Sequence, residues 1–81
     1  MEFELSEHAS GMLKEREIKE EWLRHAMENP DYIENDADGT MHYIRVIKEY
    51  DGRHLRVVVN PDMKPQKVVT IFFDRRLGRK R

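Results

Sequence analysis

The dipeptide Asp51-Gly52 lies between two alternating stretches of apolar and polar residues, and it restricts the fold more than any other feature. Asp-Gly is a favoured central pair of the type I′ turn, whose positive φ angles suit the twist of a two-residue β-hairpin. The flanking stretches 40–50 and 53–60 therefore predict two antiparallel strands. With Asp51 and Gly52 as the central pair, Ile44 is expected opposite Val59.

This register gives the predicted hairpin one apolar and one polar face, because successive side chains of a strand point to opposite sides. The apolar face, expected to meet the helices, consists of Ile44, Val46, Leu55, Val57 and Val59. The other face is expected to be exposed and carries Tyr43, Arg45, His54 and Arg56. A third strand over 66–74 adds Val68, Thr70, Phe72 and Asp74 to the exposed face. A basic sheet face interspersed with aromatic side chains is the one feature of the predicted fold that points to a function.

The first 30 residues have a helical rather than an alternating pattern. Ser6 is a candidate N-cap for a short first helix, because its hydroxyl can accept from a free backbone N–H. Apolar residues at helical spacing predict a second helix over 18–29, which Pro30 ends. A short extended piece is expected at 31–34. Helices followed by antiparallel strands indicate the α+β class.

Length and composition narrow the possibilities further. The 81 residues fit a single domain over 1–81, with a basic and mobile tail over 75–81. The absence of cysteine excludes disulfides and cysteine-based zinc sites, and the four histidines lack metal-site spacing, so neither metal nor cofactor is expected. No apolar run approaches the length of a membrane span, which predicts a cytoplasmic protein without membrane contact.

Charge is divided unevenly along the chain. Residues 1–39 carry four basic and twelve acidic side chains, a net charge of −8, whereas residues 40–81 carry eleven basic and four acidic ones, a net charge of +7. This division suggests that the C-terminal half faces an anionic partner. The alternative, that helices favour Glu and exposed strands tolerate Arg, stays open.

Several segments together resemble a known family. They are Phe3-Glu4-Leu5-Ser6-Glu7-His8-Ala9, Leu13-Lys14-Glu15-Arg16-Glu17-Ile18, Asn29-Pro30, Gly52-Arg53-His54-Leu55-Arg56-Val57-Val58-Val59 and Val68-Val69-Thr70. They resemble the prokaryotic domain-of-unknown-function family 4258, thought to be distantly related to toxins of the RelE and BrnT type. The resemblance implies a RelE-like fold, with two helices on one face of a three- to four-stranded antiparallel sheet and RNA on the other. Two positions differ from the family pattern, since Met12 replaces a frequent Arg and Glu17 replaces a usual Gly.

RNA cleavage without a metal requires a base for the 2′-hydroxyl, a proton donor for the leaving oxygen and cations for the phosphate. The candidate catalytic residues are His8, Arg16 and His54. The candidate RNA-binding residues are Tyr43, Arg45, Arg56, Thr70, Phe72 and Arg75. His8 and Arg16 also have a structural interpretation, His8 in fixing the first helix and Arg16 in bridging it to its neighbours.

Two functions are therefore expected from the sequence. The leading hypothesis is an RNA-binding, toxin-type endoribonuclease that has an antitoxin or another protein as a further partner and does not bind DNA. The alternative is a non-enzymatic protein-interaction module, which uses the exposed sheet face or an edge strand at 66–74.

Overall fold

The computed structural model describes residues 2–77, which form two α-helices and five β-strands. In chain order the elements are β1 (Phe3–Leu5), α1 (Glu7–Glu15), α2 (Glu20–Glu28), β2 (Tyr32–Asn35), β3 (Met41–Ile47), β4 (Arg53–Asn60) and β5 (Gln66–Phe73). A short 3-10 turn over Lys48–Tyr50 follows β3. The predicted α+β class is confirmed.

The five strands form one mixed sheet in the order β1-β5-β4-β3-β2. β1 pairs with β5 in parallel, and the other three pairings are antiparallel. The sheet therefore has one strand more than the three to four antiparallel strands expected, and this strand, β1, is parallel to its neighbour. β1 has three residues, too few to show an alternating pattern, and it pairs with a strand at the other end of the chain. β5 is consequently not an edge strand over Gln66–Val68, where β1 covers it.

Both helices pack on the same face of the sheet, called the helix face below; the opposite face is called the outer face. α1 begins at Ser6 as predicted, since Ser6 Oγ accepts from the Ala9 N–H at 3.0 Å. The same hydroxyl donates to the Val69 carbonyl at 3.0 Å, which fastens the start of α1 to β5. Within residues 2–77, neither helix has the length and apolar character needed to cross a membrane.

The pairing of β3 with β4 differs from the predicted register. Val59 lies opposite Met41 rather than Ile44, a shift of three residues. An odd shift turns a strand over, so Tyr43 lies on the helix face and Ile44 on the outer face. The pairing ends at Ile47 and Arg53, because residues 48–52 form a five-residue connection instead of the predicted two-residue turn.

The core lies between the helices and β3, β4 and β5. On the helix side it is built from Ala9, Leu13, Ile18, Trp22, Leu23, Ala26 and Met27. On the sheet side it is built from Tyr43, Ile47, Leu55, Val57, Val59, Val68 and Ile71. A register irregularity between Val58 and Val59 places Val68 in the core, although the sequence pattern placed it on the exposed face.

Candidate nucleic-acid interface

A groove of about 610 Å³ runs between the C-terminal end of α1 and the second half of β5. It is lined by Met12, Arg16, Tyr50, Arg53, Phe72, Phe73 and Arg75, and it is called the arginine groove below. Phe72 and Phe73 point to opposite faces of the sheet, as successive strand residues do. Both reach the groove because β1 pairs only with the first three residues of β5 and leaves its second half uncovered on that side.

One stripe of α1 forms the helical wall of this region. His8, Met12 and Arg16 are spaced four residues apart, which places them on the same side of the helix and its C-cap. Near the start of the stripe, His8 Nε2 lies 3.1 Å from Thr70 Oγ1, within hydrogen-bond distance. Four of the side chains that the sequence predicted for the site therefore lie along α1 and β5: His8, Arg16, Thr70 and Phe72.

The wall formed by Tyr50 and Phe73 is held by the aromatic core. Tyr50 stacks on Trp22 with ring centroids 5.5 Å apart, and it meets Phe73 edge-on at 5.0 Å. Trp22 and Phe73 are also in edge contact at 5.9 Å. Aromatic contacts of this kind restrict ring orientation beyond simple burial. Tyr50 is 37% exposed, so its ring presents a fixed surface to the groove.

Three exposed guanidinium groups give the groove its charge. The Arg53 guanidinium lies 4.6 Å from the centroid of the Tyr50 ring, a cation–π contact that leaves its N–H groups available. Among residues 2–77, no carboxylate lines the groove or forms an ion pair with Arg16, Arg53 or Arg75. Three unpaired guanidiniums beside aromatic rings form a site suited to an anionic, partly planar ligand.

On the outer face, Asp74 is the centre of a buried ionic cluster. Its side chain is 2% exposed and accepts from Arg56 Nε at 2.9 Å. Arg76 donates to the same carboxylate from Nε at 3.1 Å, from Nη2 at 3.1 Å and from its backbone N–H at 3.0 Å. The Arg76 hydrogen bond is the main cause that lowers the pKa of Asp74 to about 2. The Asp74 carboxylate in turn raises the pKa of Arg76.

Arg56 extends this cluster toward β2 and β3. Its Nη1 donates to Glu34 Oε1 at 3.1 Å and to His42 Nδ1 at 2.8 Å. Because Nδ1 accepts here, the ring proton of neutral His42 lies on Nε2, which is 3.2 Å from Thr40 Oγ1. The Arg56 guanidinium is thus occupied by other side chains on each side.

Three of the predicted RNA-binding residues lie in environments that differ from the exposed face expected for them. Tyr43 is 6% exposed in the core on the helix face, because of the register shift in β3. The same shift moves Arg45 to the helix face, where Nη1 donates to the Asn29 carbonyl at 2.6 Å. Arg56 lies on the outer face as expected, but it is 7% exposed and engaged by the ionic cluster.

The predicted catalytic residues do not form one constellation. His54 lies on β4 opposite Val46 on the outer face, and its Nδ1 is buried without a partner among the described residues. No hydrogen bond in this part of the chain joins His54 to His8 or Arg16. Arg75, placed by the sequence in a mobile tail over 75–81, is the first residue of a turn, and its side chain lines the groove. Residues 78–81 of that tail lie outside the described residues.

Sequence reasoning missed Tyr50 and Arg53 as members of the site. The predicted two-residue turn placed them opposite each other at the end of a flat hairpin, where they had no further role. A usable signal was nevertheless present. Tyr50 and Arg53 flank the turn, and Arg75 follows the third predicted strand, so all three residues lie at the same end of the predicted antiparallel strands.

Comparisons with known proteins identify one family. The family model described as a domain of unknown function (DUF4258) matches residues 5–73, which include both helices and β2 to β5. No curated protein and no solved structure matches the chain. The matched region includes Arg16, Tyr50, Arg53, Phe72 and Phe73 of the arginine groove. This chain therefore belongs to the DUF4258 family.

Proposed function

We propose that this protein binds single-stranded RNA in the arginine groove. The observation that carries the proposal is the grouping of Arg16, Arg53 and Arg75 around one groove whose described lining has no carboxylate. Guanidinium groups bind phosphate oxygens in bidentate fashion, and a strand of RNA offers several phosphates in succession. The exposed arginines are therefore best explained by a ligand with repeated negative charge.

The aromatic side chains favour RNA over a simple polyanion. Unpaired bases stack on aromatic rings, and such stacking contributes about 1–3 kcal/mol per base. Phe72 and Tyr50 line the groove beside the arginines. A strand whose phosphates contact the arginines would therefore have ring surfaces within reach of its bases.

The resemblance to RelE and BrnT toxins extends this proposal to metal-independent cleavage of the RNA. Such cleavage needs a side chain that removes the 2′-hydroxyl proton. His8 is the predicted catalytic histidine on the α1 stripe that leads to the groove, and its ring contacts Thr70. We therefore assign removal of the 2′-hydroxyl proton to His8 and the phosphate contact to Arg16. The 2′-oxygen then bonds to phosphorus, the bond to the 5′-oxygen breaks, and the leaving 5′-oxygen takes its proton from water, so His54 is left without a catalytic role.

Fluorescence anisotropy with a labelled single-stranded RNA of about 12 nucleotides, within the length that one small binding domain covers, tests the proposal. Arg16→Gln with Arg75→Gln should weaken binding about a hundredfold or more, because each of the two charged hydrogen bonds lost contributes roughly 1.5–3 kcal/mol. The slope of log affinity against log salt should fall by about 0.7 for each phosphate that the variant no longer neutralises. The same mixtures, run with EDTA on a denaturing gel, should show fragments that disappear in His8→Gln.

Arg24→Gln is the matched control, because Arg24 is exposed on α2 and does not line the groove. It removes the same charge as each groove substitution, and affinity should stay within about twofold of the unmodified chain. Equal weakening by Arg24→Gln and Arg75→Gln would show a general charge effect and would contradict binding in the groove. If the RNA stays intact in every lane, the protein binds RNA without cleaving it.

A protein-interaction module is the second candidate, and one observation favours it. β2 is an edge strand in which Tyr32 is 39% and Ile33 is 44% exposed. Exposed edges with apolar side chains can pair with an added strand. If the unmodified chain shows no RNA binding, this edge becomes the better-supported site, in place of the strand at 66–74 that the sequence indicated.

A further inference from the structure

We propose that Asp74 is a positioning residue that holds Arg75 in the arginine groove by retaining its neighbour Arg76 on the outer face. This inference rests on the proposed function, since it assigns Arg75 to the ligand. It concerns two consecutive arginines that the structure places in different environments. Arg76 donates three hydrogen bonds to Asp74, whereas Arg75 lines the groove and forms no ion pair within residues 2–77.

The backbone shows how this separation arises. Asp74 N–H donates to the His54 carbonyl at 2.9 Å, which attaches residue 74 to the start of β4. The Asp74 carbonyl accepts from Leu77 N–H at 3.2 Å, and the Asp74 carboxylate accepts from Arg76 N–H at 3.0 Å. An aspartate that bonds the backbone two residues on fixes a turn. Arg75 lies inside this turn, so its direction is set by both neighbours.

The Asp74 carboxylate is itself held from the other side. Arg56, 7% exposed, donates to it from β4 at 2.9 Å, and Arg56 is in turn fixed by Glu34 and His42. The turn is thus anchored to three strands, and the charge of Arg76 is largely neutralised beside the outer face. The cost of ordering Arg75 is met before RNA binds, which is the advantage of a preorganised site.

A double-mutant cycle between residues 74 and 75 tests this inference. Asp74→Asn keeps an oxygen for the Arg76 backbone N–H but removes both ion pairs. It should weaken RNA binding roughly tenfold, the size of one charged hydrogen bond. In an Arg75→Gln background the same substitution should have no further effect. Equal weakening in both backgrounds, or tighter binding by Asp74→Asn, would overturn the inference.

Arg76→Gln provides a second variant in case Asp74→Asn fails to fold. The Arg76 side chain is 82% exposed, and its removal leaves the buried pair of Arg56 and Asp74 intact. It should weaken RNA binding in the unmodified chain and have no effect in the Arg75→Gln background. A direct contact of Arg76 with RNA would instead give the same weakening in both backgrounds.

A measurement without RNA separates failure of this inference from failure of the proposed function. The heteronuclear NOE of the Arg75 backbone N–H should be as high in the free protein as that of Phe73 in β5, and it should fall in Asp74→Asn or Arg76→Gln. If it is already low in the unmodified chain, Asp74 does not position Arg75. If Arg75 is ordered but RNA does not bind, the proposed function fails while the positioning stands.

Discussion

Asp74 and Arg56 are the two buried charged residues of the described chain, 4% and 7% exposed. Taking a charge out of water is expensive, and burial is tolerated when each charge is paired and its hydrogen-bonding groups are occupied. Both conditions hold: the carboxylate accepts from Arg56 and Arg76, and the guanidinium also donates to Glu34 and His42. Removing either partner would leave the other buried with only part of its compensation, from Glu34 for Arg56 and from Arg76 for Asp74.

Acid should weaken the folded state through Asp74. The pKa of Asp74 is about 2 in the folded chain, below the ordinary aspartate value of 3.8, chiefly because Arg76 donates to the carboxylate. Because the pKa of Asp74 is lower in the folded chain than in the unfolded chain, its carboxylate stabilises the fold at pH values above the unfolded-state pKa. This contribution is lost as the pH falls through 4 toward 2. Urea unfolding should show the unmodified chain more stable than Asp74→Asn at neutral pH, with the difference shrinking across that window. A difference that stays constant down to pH 2 would contradict the assigned pairing.

For single residues, the sequence predicts which contacts a side chain is able to make better than it predicts the surroundings of that side chain in the fold. Ser6 as an N-cap follows from a local pattern and is confirmed, because its partner Ala9 is three residues away. Arg56 and Arg75 were both predicted to bind RNA, yet Arg56 is buried in an ionic cluster and Arg75 lines the arginine groove. Their difference depends on Glu34 in β2, His42 in β3 and Asp74 just after β5, which are far apart in the sequence.

Glu17, immediately after α1, has an unfavourable backbone conformation. Its φ is 54°, in the left-handed region that favours glycine. Ile18 N–H donates to the Leu13 carbonyl at 2.9 Å and Glu17 N–H to the Lys14 carbonyl at 3.2 Å. These are the two hydrogen bonds of a Schellman motif, in which the residue at this place is usually Gly. The family pattern that the sequence resembles likewise has Gly at this position.

Glu17→Gly should therefore stabilise the domain by about 0.5–1 kcal/mol, since a left-handed conformation costs an L-residue roughly 1–2 kcal/mol and the freer unfolded chain offsets part of the gain. Glu15→Gly is the matched control. Glu15 is the last residue of α1, and a glycine in the helix should cost up to about 1 kcal/mol. Urea unfolding at neutral pH measures both changes. If Glu17→Gly destabilises the domain, the Glu17 side chain makes a contact that stabilises the fold by more than its backbone strain costs.

The β3–β4 connection shows why the position of the turn was predictable and the register of the two strands was not. Asp51 and Gly52 do adopt positive φ, 60° and 69°, as their turn chemistry indicated. The connection is longer than two residues because Tyr50 joins the rings of Trp22 and Phe73, which come from α2 and β5. That long-range packing decides which β3 residue lies opposite Val59, and no local pattern of turn residues encodes it.

The division of charge seen in the sequence has a counterpart in the folded molecule, in a form that composition did not show. Some of the basic side chains from the C-terminal half are neutralised, as Arg56 and Arg76 are by Asp74 and Glu34. Others, Arg53 and Arg75, meet Arg16 from the acidic N-terminal half at the arginine groove. Net charge by segment thus indicated an anionic ligand, while only the fold identifies which cations remain available for it.

Occupation of the arginine groove should be visible in the fluorescence of Trp22, the single tryptophan of the chain. Trp22 is buried, but its ring stacks on Tyr50 and touches Phe73, and both of these line the groove. A strand of RNA that contacts Tyr50 should alter the emission of Trp22 saturably, with the dissociation constant given by anisotropy. In Arg16→Gln with Arg75→Gln the same change should require about a hundredfold more RNA. An unchanged emission at RNA concentrations where anisotropy shows full binding would place the ligand elsewhere, because a strand in the groove cannot avoid the aromatic wall that connects to Trp22.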